Sequence, residues 1–284
     1  MINFNGRLTE NAEITEQNRG LNYGDALFES LRVIHGQEML WEAHYFRLMS
    51  SMRVLRMEIP MHFSPEYLLE QIKETLVANA LDQKPARVKI LVYRKEGGLY
   101  RPQTRDIDFV ITCAELDSPF FLHQERNYVV DLFKDHFVLS GMLSNLKTTS
   151  KLPSILAAIY AEENELDNCI LLNEKKSVLE FTNANLFLVK GKTVKTPPLS
   201  DGCLKGVIRA ELIKIIKQME GYTLEESSIS PFEIQKSDAL FMTNAIQGIT
   251  SVSRYRKKEF DTQLAKQLVG KLNAQVRLIT AETH

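Results

Sequence analysis

The chain has 284 residues, 44% of them hydrophobic and 25% charged, the make-up of a soluble globular protein with a sizeable core and room for two domains or one large one. A net charge of −1 gives no electrostatic reason to expect nucleic acid or an anionic membrane as partner. Cys113, Cys169 and Cys203 are odd in number and far apart, with no CxxC and no Cys/His ligand spacing, so neither a disulfide framework nor a metal site is expected.

The opening stretch "MINFNGRLTENAE" has neither a basic nor an apolar leader region, and no apolar run approaches membrane-spanning length. A reduced, cytoplasmic setting is the expectation. "FESLRVIHGQEMLW" reads as a hairpin turning at His35-Gly36, where glycine accepts positive φ. "EAHYFRLMSSMRVLRM" spaces Phe46, Met49, Met52 and Leu55 or Met57 at a helical period that Pro60 stops. A second helix, "PEYLLEQIKETLVANAL", starts behind Ser64 as N-cap with Pro65 at its first position. The strands "ARVKILVYR" and "IDFVITCAEL" follow, and "DSPFFLHQERN" then breaks the pattern, which sets the domain boundary at 117/118.

Beyond it, strands are expected at "YVVDLF", "CILLN", "VLEFT", "ANLFLV" and "ALFMTN". Helices are expected at "LPSILAAIYAEENEL", "GVIRAELIKIIKQME" and "FDTQLAKQLVGKLNAQVRLI". Strand-rich stretches with irregularly placed helices indicate an α+β class, with a small α/β domain over 1–117 and a larger one over 118–284.

No GxGxxG, GxxxxGK[ST], GxSxG or HExxH occurs, and the six histidines are scattered; His44 reads as packed or surface rather than as a base. Lys147 stands out. It follows the nearly charge-free "HFVLSGMLSNL" and precedes a helix whose Leu152, Ile155 and Ile159 form an expected buried stripe. An amine desolvated at such a junction becomes a usable nucleophile for Schiff-base chemistry, with Lys151 as a competitor. Glu180 lies inside the apolar strand "LEFT", either as an exposed edge charge or as a buried partner for a cation. Gly206 opens a helix whose N–H groups and positive dipole end would seat a phosphate, although a plain cap explains it equally.

Five segments in order resemble the class IV aminotransferases, pyridoxal-phosphate enzymes of fold type IV that include branched-chain and D-amino acid aminotransferases and 4-amino-4-deoxychorismate lyases. They are "NRGLNYGDALFESLRV", "HYFRLMSSMRVL", "LKTTSKLPSILAA", "LEFTNANLFLVKGKTVKTPPLSDGCLKGVIRAELI" and "LFMTNAIQGITSV". The resemblance implies a two-domain, D-amino acid aminotransferase-like fold with the active site between the domains. It makes Lys147 the lysine that carries pyridoxal 5'-phosphate as an internal aldimine and shuttles the proton. It leaves Lys151 on a helix surface. Glu180 would face the pyridine nitrogen. Arg47, the backbone N–H groups of Val207 and Ile208, and the turn at Asn244 and Ala245 would hold the phosphate.

Two departures separate the reactions within the family. "GVIR" stands where transaminases show "GITR", and "TNAIQG" where they show a Thr- or Ser-rich turn, both leaning to the lyases. Glu29 in "FES" and the Lys95-Glu96 interruption of "YRKEGGLYRP" lean the other way. Arg94 and Arg101, flanking Gly97-Gly98, are candidates for a doubly carboxylated substrate, with Tyr23 and Phe28 as pocket walls. The implied reaction is 4-aminobenzoate and pyruvate formation, with branched-chain or D-amino acid transamination as the alternative and a homodimer as the assembly.

Overall fold

The computed structural model describes residues 1–34 and 36–282, with side chains to 277. His35, one half of the expected hairpin turn, lies outside the described residues, as do 283–284. The chain divides into two compact units, one formed by residues 1–120 together with 147–150, the other by 121–146 and 151–277. The structure therefore groups the lysine segment with the N-terminal residues.

The first unit is built from β1 (Ile2–Phe4), β2 (Arg7–Thr9), α1 (Arg19–Tyr23), β3 (Ala26–Ile34), β4 (Gln37–Glu38), α2 (Trp41–Val54), α3 (Pro65–Ala78), β5 (Ala86–Arg94) and β6 (Ile107–Glu115). Its sheet runs β2-β1-β6-β5-β3-β4. The long β3, β5 and β6 pair antiparallel, so Phe28 faces Leu91 and Ser30 faces Lys89. Helix α2 packs on β3, and α3 on β6 and β1. Ser64 caps α3 by accepting the Tyr67 N–H, with Pro65 in the first turn as its sequence demands.

Helix α2 departs from its expected period. Phe46 is 62% exposed, and the buried face runs through His44, Leu48, Met49, Ser51 and Met52. Two polar side chains thus sit where an apolar stripe would be written, because both find hydrogen-bond partners.

The second unit holds β7 (Val129–Leu132), α4 (Leu152–Glu163), β8 (Asn168–Leu172), β9 (Val178–Phe181), β10 (Asn185–Lys190), β11 (Thr193–Thr196), α5 (Val207–Lys217), β12 (Thr223–Glu226), α6 (Pro231–Lys236), β13 (Ala239–Asn244), β14 (Gly248–Val252), β15 (Arg254–Tyr255), β16 (Lys258–Glu259) and α7 (Gln263–Glu282). Its main sheet runs β12-β11-β10-β9-β8-β7-β15-β16, and β13 branches off β10 to carry β14. Register places Asn185 of β10 beside both Glu180 of β9 and Thr243 of β13. Adjacent strands so bring three polar residues side by side, and alternation along β10 and β13 turns Leu186, Leu188, Leu240 and Met242 to the other face, into the core.

The stripe expected on α4 is overturned. Leu152, Ile155 and Ile159 are 68%, 51% and 45% exposed, and the helix instead buries Ala157 and Ala161 against Phe133, Cys169 and Leu171. Alanine lets a helix approach a sheet closely, which leaves the larger side chains turned outward. The run before Lys147 is bends and turns rather than strand, and it exposes Leu139, Met142 and Leu143.

Candidate functional site

The first unit's polar cluster is organised by Asp25 to Glu29. The Lys147 carbonyl accepts the Phe28 N–H at 2.9 Å, and Thr149 N–H donates to the Ala26 carbonyl at 3.1 Å, so segment 147–150 continues the sheet along β3. Half-buried Lys147 lays its Nζ 4.3 Å from the centre of the Phe28 ring. Lys89 Nζ lies 5.4 Å from the same ring, and the sum of the two distances keeps the ammonium groups within about 10 Å, one Debye length at ordinary salt.

The next residue, Glu29, points to the α2 side and is 1% exposed. Arg47 donates to it from Nε at 2.7 Å and from Nη2 at 2.6 Å, a bidentate pair, and the His44 Nδ1 lies 2.7 Å from its Oε2. Burial alone would raise the Glu29 pKa, but the Arg47 charge and the hydrogen bonds from His44 and Arg47 outweigh it and hold the carboxyl at about 2. Burial, ahead of the opposing pull of Glu29, pushes the His44 pKa down, and the charges of Arg47 and Lys147 push the same way. His44 is therefore a neutral imidazole that donates Nδ1–H to the carboxylate.

Asp25 binds two buried arginines. Arg19 Nε and Arg94 Nε reach its Oδ2 at 3.0 and 2.9 Å. Arg94 also donates to Asp25 Oδ1 and to the carbonyls of Leu55 and Arg56 beyond the end of α2. Arg19 Nη1 donates to the carbonyls of Gly97, Gly98 and Leu99 at 3.2, 3.3 and 2.6 Å.

In the second unit, Glu180 is half-buried on β9 between buried Leu179 and Phe181. Its Oε2 accepts the Leu204 N–H at 2.9 Å and Asn185 Nδ2 at 3.3 Å. Asn185 also donates to the Leu204 carbonyl at 2.9 Å, tying the strand to the loop that feeds α5. Gly206 is the N-cap of α5, and no side chain among the described residues caps the helix. A Cβ on Gly206 would collide with Asn185 Oδ1, so only glycine fits this approach. Val207 and Ile208 begin the helix with their side chains buried, so this end presents backbone N–H groups and no hydroxyl. Asn244 closes the β13–β14 turn through its own side chain, with Oδ1 accepting the N–H groups of Ile246 and Gln247. Beside it, the buried Thr243 Oγ1 has no hydrogen-bond partner among the described residues.

Sequence-expected residues thus fall into two groups. In the first unit Lys147 meets Phe28 on one side of β3 and Arg47 meets Glu29 on the other, while in the second Glu180, Leu204 and the Gly206 start of α5 meet at Asn185; Asn244 and Ala245 follow Thr243 on the neighbouring strand. Arg94, expected as a substrate contact, is 6% exposed, and its guanidinium donates to Asp25, Leu55 and Arg56. Arg101 is exposed, and its carbonyl occupies the place where a Cβ on Gly98 would stand. The Gly97-Gly98 loop is pinned by Arg19. Tyr23 is 41% exposed and packs with Arg19 and Tyr100 at 4.9 and 5.8 Å. Sequence reasoning misses Arg19, Asp25, Lys89 and Asn185, and it reads His44 as packed or surface without finding its Glu29 partner. "NRG" and "YGD" carry Arg19 and Asp25 inside a family-like segment, but nothing local signals that they bond each other.

The model of the family described as "Amino-transferase class IV" matches residues 26–255. A Methanocaldococcus jannaschii protein carrying a branched-chain-amino-acid aminotransferase name is 28% identical over 95% of this chain and 93% of its own. The aminodeoxychorismate lyase of Vibrio harveyi is 27% identical over 90% and 94%. Among solved structures, the branched-chain aminotransferase of Thermoproteus uzoniensis superposes with a TM-score of 0.84 at 24% identity, covering 98% of this chain and 94% of the other.

Proposed function

The chain belongs to the amino-transferase class IV family, and from that premise we propose that it is a pyridoxal 5'-phosphate enzyme for an amino acid-like substrate, with the lyase reaction on 4-amino-4-deoxychorismate as its chemistry. The observation that carries the reaction is the absence of hydroxyls at two places. The α5 N-terminus carries Ile208 and the β13–β14 turn carries Ala245 and Ile246, where the transaminase pattern has Thr or Ser.

The residues fit the cofactor. Bound, it supplies an electron sink for the charge left at the substrate Cα. Lys147 holds the cofactor and moves the proton at Cα. Glu180, fixed by Leu204 and Asn185, offers a carboxylate that keeps the pyridine nitrogen protonated. For its phosphate, the second unit would offer the N–H groups of Val207 and Ile208 and the Asn244–Ala245 turn, and the first unit would offer the Arg47 guanidinium. The glycine-only approach at Gly206, the uncapped α5 and the orphan Thr243 hydroxyl support this fit. For a substrate carboxylate, Lys89 beside Phe28 offers a cation, and the exposed Arg101 stays a candidate.

The test is release of 4-aminobenzoate, followed by fluorescence, against a Lys147→Ala control; no release above the control sinks the lyase reading. A second reading, branched-chain transamination, is favoured by Glu29 and by the near full-length M. jannaschii relative. A donor panel with 2-oxoglutarate or pyruvate decides it.

The second unit's exposed Leu139, Met142, Leu143, Leu152 and Ile155 form apolar surface of the kind that marks interfaces, and a homodimer would cover it. Among the described residues no helix is long and apolar enough to cross a membrane. We propose a cytoplasmic setting, with which the free thiols of Cys113, Cys169 and Cys203 agree.

A further inference from the structure

We infer that the buried Glu29–His44 pair is a positioning device that fixes the Arg47 guanidinium and thereby sets the enzyme's preference for a phosphorylated over an unphosphorylated pyridoxal. The inference rests on the cofactor reading above and extends it to two residues that need not touch the cofactor.

An arginine has two hydrogen-bonding edges. Glu29 takes the Nε/Nη2 edge of Arg47 at 2.7 and 2.6 Å, which turns the Nη1/Nη2 edge away from the carboxylate. A guanidinium on a flexible stem would otherwise sample many rotamers, and freezing it on binding a phosphate costs entropy. Here the freezing is done in advance, because the carboxylate is 1% exposed and sits on the central part of a long paired strand. His44 completes the device. It lies one helical turn before Arg47 on α2, and its Nδ1 meets the same Oε2 that accepts Arg47 Nη2. The imidazole is 1% exposed, so bulk water does not compete for this hydrogen bond. A carboxylate held by one arginine alone could rotate about its last torsion; with a second donor from the same helix it cannot. Glu29 is otherwise costly to bury, and a charge buried at this depth needs both partners.

The pairing also has a direction. Removing Glu29 takes from Arg47 its bidentate partner, whereas removing His44 leaves the bidentate pair in place and takes away only the second donor that orients it. The expected effects therefore rank Glu29 above His44, and both must vanish when Arg47 is absent.

The experiment uses the full chain freed of cofactor. Binding of pyridoxal 5'-phosphate and of pyridoxal is titrated by absorbance for wild type, Glu29→Gln, His44→Gln, Arg47→Met and the double variant Glu29→Gln/Arg47→Met. Both ligands carry the aldehyde that Lys147 meets, so the ratio of their Kd values isolates the phosphate. Glu29→Gln is expected to cut the preference for the phosphorylated ligand by about 10- to 100-fold, the worth of a hydrogen bond to a charged group, and His44→Gln by less. Pyridoxal binding should be nearly unchanged, and Glu29→Gln should have no further effect in the Arg47→Met background. Circular dichroism and Tm report whether each variant folds. An unchanged ratio in the folded variants, or an equal loss for both ligands, overturns the inference. If Glu29→Gln does not fold, His44→Gln decides alone: a reduced ratio supports the device and an unchanged one sinks it. Failure of the wild type to bind either ligand overturns the cofactor reading itself, an outcome separate from a wild type that binds while its variants keep the ratio.

Discussion

Asp25 should be costly to neutralise, because two buried arginines share it. Its Oδ2 lies 3.0 Å from Arg19 Nε and 2.9 Å from Arg94 Nε, and the side-chain exposures are 16% for the acid but only 4% and 7% for the arginines. Asp25→Asn keeps the volume and one acceptor yet leaves two buried guanidinium groups without their counter-charge. Removing one partner of a buried pair costs about 3–5 kcal/mol, and the residual exposure of Asp25 argues for the lower end, about 3 kcal/mol. For a chain of this length that corresponds to a fall in Tm of about 5–6 °C. Differential scanning calorimetry on wild type and Asp25→Asn measures it, with Asp25→Asn/Arg94→Met expected to regain part of the loss because one of the stranded charges is removed. Limited proteolysis should open the 97–99 loop first in the variant, since Arg19 is what holds its three carbonyls. A Tm within about 2 °C of wild type, no more than the effect of about 1 kcal/mol at this size, would show that the two arginines do not depend on Asp25.

Glu29 links stability to acid. Its folded pKa of about 2 lies below the ordinary value of 4.5, so its contribution is fully present above pH 4.5 and is lost as pH falls towards 2; the displacement corresponds to about 3 kcal/mol, and Tm against pH should fall less steeply over that window in Glu29→Gln than in wild type. Gly206→Ala should weaken cofactor retention on dialysis and cost about 1–3 kcal/mol, because its Cβ would run into Asn185 Oδ1; an unchanged dialysis rate and Tm would refute the steric cradle. Lys89→Met should raise KM for a carboxylate-bearing substrate while leaving kcat within a few-fold, and an unchanged KM would remove Lys89 from substrate binding. Ile155→Lys and Ile159→Asp, at positions 51% and 45% exposed, should leave the fold intact and shift the mass measured by light scattering towards a monomer if a second copy covers this face.

Much of the fold is legible in the sequence because it rests on local signals. Ser64-Pro65 writes a helix start that needs no tertiary contact, and β5 alternates plainly. The misreadings have one physical origin, the assumption that large apolar side chains face inward. Along α4 the inward face is alanine, since close approach to β8 needs small residues, and the leucines and isoleucines point out. Along α2 the inward face includes His44 and Ser51, each satisfied by a partner that periodicity cannot show. For the site, the residues that resemble a family motif are legible and their supports are not. Arg94 reads as a substrate contact because a guanidinium beside two glycines looks available. Its acceptors lie 69 residues away at Asp25 and 39 residues away at Leu55, separations over which a single sequence holds no pairing information.

The same separation explains why "DALFE" carries so much. Asp25 takes the two arginines, the Ala26 carbonyl takes Thr149, the Phe28 N–H takes the Lys147 carbonyl and its ring meets the Lys147 amine, and Glu29 takes Arg47 and His44. Alternation along a strand sends Phe28 and Glu29 to opposite sides, so one short run can set both a lysine arriving along the strand edge and an arginine arriving from a helix. Sliding β3 by one residue would exchange those sides and undo both placements at once. The long antiparallel pairing of β3 with β5, continuous from Ala26 to Val33, is what prevents the slide. The placement of Lys147 and Arg47 is therefore a property of the β3 register.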